Sequence, residues 1–419
     1  MNHPANHIFE MDPGQLREFV TTHGMRPFRA DQVLNWVYQR TVGEPSAMSN
    51  LSNLDRRTIE ETLPIRTSDL VRCQRASDGT RKLLLAWRPA SQTLPSAIAD
   101  SHFDSSTLIN ASGSVPLSVL TDDVNKSPNV RIDSGTGTGL PMTECVMIPA
   151  GENENHRPRR TACISSQVGC PVRCKFCASG LGGLEGNLSA GRIVEQVWRL
   201  NEMLKDEVAN PEDAQRITNI VFMGMGEPLS NYNAVINAVR ILNAPWALNM
   251  SARKITISTV GLPAGIRRLA REQLPVTLAL SLHAPNDEIR RELIPWAEYA
   301  AIDELMDACR EYFQMTGREI TFEYTLMRDV NDRPEHARQL ASIVRTVRGN
   351  VNLIRYNEVG GFAFQRPRDD DVHEFQGILR AKKVNAHIRA SRGRDISAAC
   401  GQLRHEEGRS QASSHFGQK

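Results

Sequence analysis

Cys170, Cys174 and Cys177 lie in the run Gly169-Cys-Pro-Val-Arg-Cys-Lys-Phe-Cys177, spaced by three and then two residues. On one short loop, three thiolates can point at a common centre, and soft thiolates favour an iron–sulfur cluster or zinc. A structural zinc ion takes four ligands, commonly from two Cys-x-x-Cys pairs, and the sequence has no second such pair. Three cysteines alone suit a four-iron cubane, which then keeps one iron open to a small molecule. The competing reading is half a zinc site with Cys163 as fourth ligand.

Further along, Gly224-Met-Gly-Glu-Pro-Leu229 has two glycines that let backbone approach a ligand closely, with carbonyl oxygens available to an ammonium group. Ser258, the stretch Ser281-Leu282-His283 and Asn357 fall at the ends of expected strands. Each alone reads as a satisfied polar residue. Together they form a polar ring on one rim.

These residues need a scaffold that brings strand ends together. From position 161 onward, strand patterns at 161–166, 219–224, 254–260, 276–283, 319–327 and 351–357 alternate with helical patterns at 190–205, 233–242, 264–272, 302–314 and 335–347. Six strands, each followed by helical or loop material, predict an α/β fold: a partial parallel (β/α)6 barrel resembling a TIM barrel, with the cysteine loop after its first strand. Barrel chemistry sits at the carboxyl ends of strands. A last strand at 387–391 leads to a Gly-rich turn and Cys400.

Ahead of the barrel, residues 1–70 read as a helical domain, with helices at 12–23 and 29–40 and with Trp36 and Tyr38 in its core. A sharper reading makes it an RNA-docking module whose Arg26, Arg29 and Arg40 meet phosphates. Residues 71–160 form a β connection. In it, a strand at 81–87 follows the Asp78-Gly79 turn, and strand character resumes at 144–149, placed to pair with the first. The segment between them, 89–141, is rich in Ser, Thr, Asn, Asp and Gly and is expected to be an inserted loop or disordered. The barrel core spans 161–403, and 404–419 is a polar tail.

The chain of 419 residues has a formal net charge of +2, so charge alone does not announce nucleic-acid binding. Eight cysteines, no signal-like start and no apolar run of membrane-spanning length point to a reducing cytoplasm, not to a disulfide framework or a membrane. Cys73, Cys145 and Cys309 are expected to be small buried side chains. Nothing in the sequence suggests more than a monomer.

The cysteine run, with Phe176 before its last cysteine, resembles the signature of radical S-adenosylmethionine enzymes, and Gly224–Leu229 resembles their Gly-Gly-Glu-Pro element. Arg29-Ala-Asp-Gln-Val, Asp78-Gly-Thr-Arg-Lys82, Ser165-Ser-Gln-Val-Gly-Cys170, Ser281-Leu-His-Ala-Pro-Asn-Asp287 and Ala398-Ala-Cys-Gly-Gln-Leu403 narrow this further. With the Gly224 motif they resemble the RlmN/Cfr family of RNA methyltransferases, over about 12–403 except the insertion.

The resemblance implies one 4Fe-4S cluster on Cys170, Cys174 and Cys177, and S-adenosylmethionine used twice per turnover and held by Gly226, Glu227, Ser258, Ser281, Leu282, His283 and Asn357. It implies that an adenosine ring carbon is methylated, C2 before C8, in large-subunit (23S) ribosomal RNA and also in transfer RNA. Cys400 would carry the methyl group, Cys163 would release the product through a transient disulfide, and Glu144 would serve as general base. A flavodoxin- or ferredoxin-type donor is the expected electron source. Three stretches depart from the family pattern: 184–188 lacks an aromatic-Arg-Asn-Leu run, 144–163 is longer than usual, and 358–362 lacks the usual proline. Rival readings are a paralogue acting on another RNA, a non-catalytic RNA-binding protein with a structural metal, and a radical enzyme that modifies another protein.

Overall fold

The computed structural model describes residues 1–92, 139–149, 159–210 and 215–403. Most of the expected insertion and the tail therefore lie outside the described residues. One ten-stranded sheet holds all but two of the described strands, each lying beside its neighbour in chain order. Its first part is antiparallel: β1 (Ser68–Arg75), β2 (Arg81–Trp87), β3 (Met142–Pro149) and β4 (Arg160–Cys163). The strands flanking the insertion do pair, with Leu84 opposite Glu144.

From β4 onward every pairing within this sheet is parallel: β7 (Asn219–Phe222), β8 (Ile255–Thr259), β9 (Thr277–Ser281), β10 (Ile320–Leu326), β11 (Gly349–Arg355) and β12 (Asn385–Arg389). Helices connect them, among them Ala190–Asp206 and Ile302–Thr316. This is the expected series of six β/α units with a last strand. Among the described residues no pairing joins β12 back to the other edge, so the barrel is partial.

Five of the six expected barrel strands are shorter than their patterns, and in two the cause is visible. The first ends at Cys163, because the Ser165 N–H turns away to the Gln196 side chain on the following helix. The chain then forms a separate ribbon of β5 (Gln167–Gly169) and β6 (Leu184–Asn187). The fourth ends at Ser281, because His283 takes a left-handed backbone with φ 55°.

Alternation along the strands separates two faces. The outer face carries Leu83, Cys145, Ala162, Ile220, Ile257, Leu280 and Phe322 into the main core under the helices. The inner face carries Lys82, Glu144, Cys163, Ser258, Ser281, Glu323 and Asn352. Strands of parallel sheets are usually apolar on both faces, so this inward polar belt marks where the chemistry is.

The N-terminal helices Pro13–Thr22, Arg29–Leu34 and Asn53–Thr62 share the main core with the barrel's outer layer. Trp36 and Tyr38 are buried there, and Trp198 of the first barrel helix donates its indole N–H to Val37 O (2.8 Å). Arg29 is engaged within the domain by Asp55 at 3.0 Å and by Gln32, while Arg40 lies over Trp36. Cys145 and Cys309 are buried as expected, but Cys73 is exposed: it lies opposite Leu83 on the helix side of the sheet, against Met203, but on the edge strand β1, where its flank is uncovered.

Candidate active site

The cysteine loop leaves β5 at Gly169, where φ is 73° and a Cβ would collide with Gly183 O. Gly183 O accepts the Cys170 N–H (2.8 Å), Cys174 O accepts the Cys177 N–H (3.1 Å), and Leu293 O accepts the Lys175 N–H (3.0 Å). The three thiols pack into an apolar nest with Val172, Phe176, Val260, Leu293, Met327 and Tyr356. Burial pushes Cys170 up to about 12, with the Cys177 thiol adding to the shift, and pushes Cys174 well above the usual thiol range. Thiols so placed give up their protons when a metal arrives to take the charge.

Among the described residues no three His, Cys, Asp or Glu side chains are grouped to hold a single metal ion. A cubane spreads its cysteines over separate irons, farther apart than the ligands of one zinc. The zinc alternative also lacks its fourth ligand: Cys163 feels Cys400 and Arg389, not the loop thiols. The loop residues thus fit a cluster better than an ion.

Beside this loop the Gly224–Leu229 segment is packed backbone to backbone. A Cβ on Gly224 would come within 2.6 Å of Ile164 O, and Gly226, at φ 102°, has room for none against Ser166 and Gln167. Of the segment's carbonyl oxygens, that of Met225 accepts the Ser166 N–H (2.9 Å). Glu227 likewise turns inward and accepts the N–H groups of Leu229 (3.0 Å) and Val260 (2.8 Å); burial raises its carboxyl to about 7. These interactions fix the shape of the segment.

The rim residues converge as expected. Ser258 Oγ and Ser281 Oγ are 3.2 Å apart. Leu282 is buried, and its N–H and that of His283 both donate to Glu323 O. His283 Nδ1 accepts the Thr325 N–H (3.1 Å), which leaves the proton on Nε2, and its ring meets Phe176 edge-on at 5.1 Å. Burial, with Arg290 nearby, lowers His283 to about 3, so the ring is neutral. Asn357 donates to Cys400 O (3.2 Å).

Cys400 is held by contacts from distant parts of the chain. Ala178 N–H donates to Gly401 O (2.8 Å) and Ser179 Oγ to Leu403 O (2.7 Å), tying the Cys400 turn to the cysteine loop. On the other side, the Asp78–Lys82 hairpin holds its approach. Asp78 accepts the N–H groups of Thr80 and Gly393 (both 3.0 Å), and Lys82 Nζ donates to Ser397 O (3.2 Å). Burial alone would raise Asp78, but these hydrogen bonds outweigh it and hold the carboxyl low.

Cys400 is open to solvent, yet the surrounding walls desolvate its thiol and raise it; Arg389 opposes that rise, while Glu323 and Cys177 add to it. Cys163 is buried and raised by the same desolvation, then by Cys400. Cys400 therefore sits between the cysteine loop and Cys163. On the same inner face, two residues along β3 from Val146, the strand partner of Cys163, Glu144 is paired with Lys82 at 2.8 Å, both buried, beside a cavity of about 120 Å³ that Arg72, Gln74, Asp395 and Ser397 also line. Sequence reasoning missed Lys82 as the partner of Glu144, although the Asp78–Lys82 motif was in view. It also missed Glu323, Arg290 and Arg389, whose strand and helix patterns carry no chemical mark.

Residues 164–341 match the model of the radical SAM superfamily, and residues 6–65 match that of the ribosomal RNA large subunit methyltransferase N-terminal domain. The chain is 38% identical to the probable dual-specificity RNA methyltransferase RlmN of Salinibacter ruber, over 93% of this chain and 92% of that protein. This chain belongs to the RlmN family of radical SAM RNA methyltransferases. The family's dual-specificity RNA methyltransferase RlmN from Syntrophobacter fumaroxidans is 37% identical over 94% of this chain and 96% of its own length. The crystal structure of a radical SAM methyltransferase from Sphaerobacter thermophilus superposes with a TM-score of 0.78 at 35% identity, covering 96% of this chain and all of that one. Membership excludes the reading of a non-catalytic RNA-binding protein. No helix among the described residues is long and apolar enough to cross a membrane.

Proposed function

We propose that this enzyme methylates C2 of an adenosine in 23S ribosomal RNA, and of transfer RNA as a second substrate, through an S-methyl group on Cys400. The observation that supports this most is the position of Cys400 between the cysteine loop and Cys163, with the Glu144 carboxylate on the same inner face. An adenine amidine carbon is electrophilic, so it cannot attack a sulfonium methyl as a nucleophile would. A carbon radical can add to it.

Cys170, Cys174 and Cys177 would hold the 4Fe-4S cluster, one per chain. Gly226, Glu227, Ser258, Ser281, Leu282, His283 and Asn357 would shape the S-adenosylmethionine site, Gly226 and Glu227 by fixing the backbone and His283 through its Nε2–H. When bound, cluster and cofactor supply the carbon radical that takes a hydrogen from the Cys400 S-methyl group. Cys400 presents the resulting methylene to the adenine ring. Glu144, ion-paired with Lys82 at 2.8 Å, takes the ring proton, and the unpaired electron that the addition leaves on the ring departs with it. That electron would return to the cluster, oxidised when it gave its electron to the cofactor. Cys163 then attacks the Cys400 sulfur: the S–S bond forms, the S–CH2 bond breaks, and the carbon keeps the electron pair and takes up a proton.

Two molecules of S-adenosylmethionine are used per turnover, one for the methyl group and one for the radical. A flavodoxin- or ferredoxin-type protein supplies electrons, and the enzyme works as a cytoplasmic monomer. Mass spectrometry of nucleosides from ribosomal and transfer RNA, in a deletion strain with and without this gene, tests the reading. Loss and restoration of 2-methyladenosine is the expected result, and restoration of 8-methyladenosine instead would reassign the carbon.

A further inference from the structure

Arg290 lies on the short helix Asp287–Leu293, whose last residue accepts the Lys175 N–H of the cysteine loop. Its side chain is almost wholly buried, at 1% exposure. The guanidinium donates only to main-chain carbonyls, Val260 O at 2.5 Å and Ala300 O at 3.4 Å, and its Nε has no partner. Among the described residues it forms no ion pair within 4.0 Å.

The acids around it do not neutralise it. Asp287 acts on it from a distance and spends its carboxylate on the Ile302 N–H (3.0 Å). Glu227 is bound to the N–H of Val260, whereas Arg290 is bound to the carbonyl of the same residue. A buried guanidinium with no counter-ion is costly, and proteins keep one where an anion compensates it. The remaining group that acts on Arg290 is Cys174, across the apolar nest of the three thiols.

We propose that Arg290 is the resident counter-cation of the cluster carried by Cys170, Cys174 and Cys177, and that its charge raises the cluster's reduction potential. This inference rests on the cluster assigned under Proposed function. Thiolate ligation gives that site net negative charge, and one-electron reduction by the external donor adds another. A fixed cation in a low-dielectric nest stabilises the reduced form more than the oxidised one. Arg290 is thus a positioning and tuning residue, not one that touches substrate.

The test uses the full chain and its Arg290→Lys and Arg290→Gln variants, reconstituted anaerobically with iron and sulfide. The midpoint potential is read by a dye-mediated titration followed by electron paramagnetic resonance, and the melting temperature is measured without the cluster. The expected result is a midpoint that moves negative in Arg290→Gln and stays near the parent value in Arg290→Lys, while cluster-free Arg290→Gln melts no lower than the parent. Equal midpoints in all three proteins would overturn the inference. So would an Arg290→Gln chain that fails to fold even without the cluster, since the guanidinium would then be a tie for two carbonyls. Failure of the parent chain to bind iron and sulfide would instead remove the cluster reading itself, and this inference with it.

Discussion

Cys170, Cys174 and Cys177 reach a common nest within one loop, whereas Cys163 and Cys400 become neighbours only after six β/α units have been laid down between them. The loop needs little beyond its own turns and the helix docked against it at Leu293. The pair depends on a clamp assembled from Asp78, Lys82, Ser179 and Asn357. The contrast teaches that the two sulfur sites differ in what can disable them. The first is vulnerable mainly at its cysteines; the second is vulnerable wherever a distant strand or hairpin holds the Cys400 turn.

The strongest way to separate the two sites is Cys400→Ala. Methylation should fall to background, while iron content and RNA binding remain at the parent level in iron assays and gel-shift titrations. Loss of iron from this variant would mean that the sites are not independent. Cys163→Ala should give a complementary result: RNA accumulates covalently attached through Cys400 and is seen as a protein–RNA band under denaturing conditions. A trapped protein in place of RNA would overturn the substrate assignment.

Glu144→Gln should be milder, lowering the rate by roughly 10²–10⁴-fold as loss of a general base does, with the fold intact by circular dichroism. Lys82→Met takes the ammonium from a buried carboxylate and also frees Ser397 O, so its unfolding free energy should drop by about 3–5 kcal/mol in a urea titration. The double variant with Glu144→Gln should recover part of that loss. An additive double variant would show that the pair is not coupled.

The smallest expected effect is a pH dependence that belongs to the cysteine loop's side of the comparison. His283 is lowered to about 3 by burial and so stays neutral in the folded chain, whereas unfolded histidine takes a proton below about 6.5. Its contribution to stability is therefore complete above about pH 6.5 and is lost as pH falls toward 3. His283→Gln should flatten that acid-side decline in melting temperature; an unchanged slope would show that other groups cause it.

Much of this was legible in the sequence because it is encoded locally. The cysteine spacing, the Gly224-Met-Gly-Glu-Pro turn and the alternation of strand and helix patterns each depend on residues close together in the chain. Strand ends were less secure. The runs 161–166 and 276–283 read as continuous strands, yet the chain breaks off at Cys163 and Ser281, because tertiary hydrogen bonds and a left-handed His283 redirect it. The exposure of Cys73 was hidden for a similar reason: alternation does not say which strand lies at the edge of a sheet.

By itself, then, the sequence determined the type of scaffold, the thiol loop and the set of polar strand ends, since period and spacing are properties of the chain. Only the tertiary structure decided which groups became partners. It gave Lys82 to Glu144, engaged Glu227 and Met225 O in hydrogen bonds within the chain, set Cys400 beside Cys163, and left Arg290 buried without a counter-ion. The physical reason is that a charge or a thiol acquires its chemistry from its surroundings, and here those surroundings come from strands far apart in sequence that share one inner face.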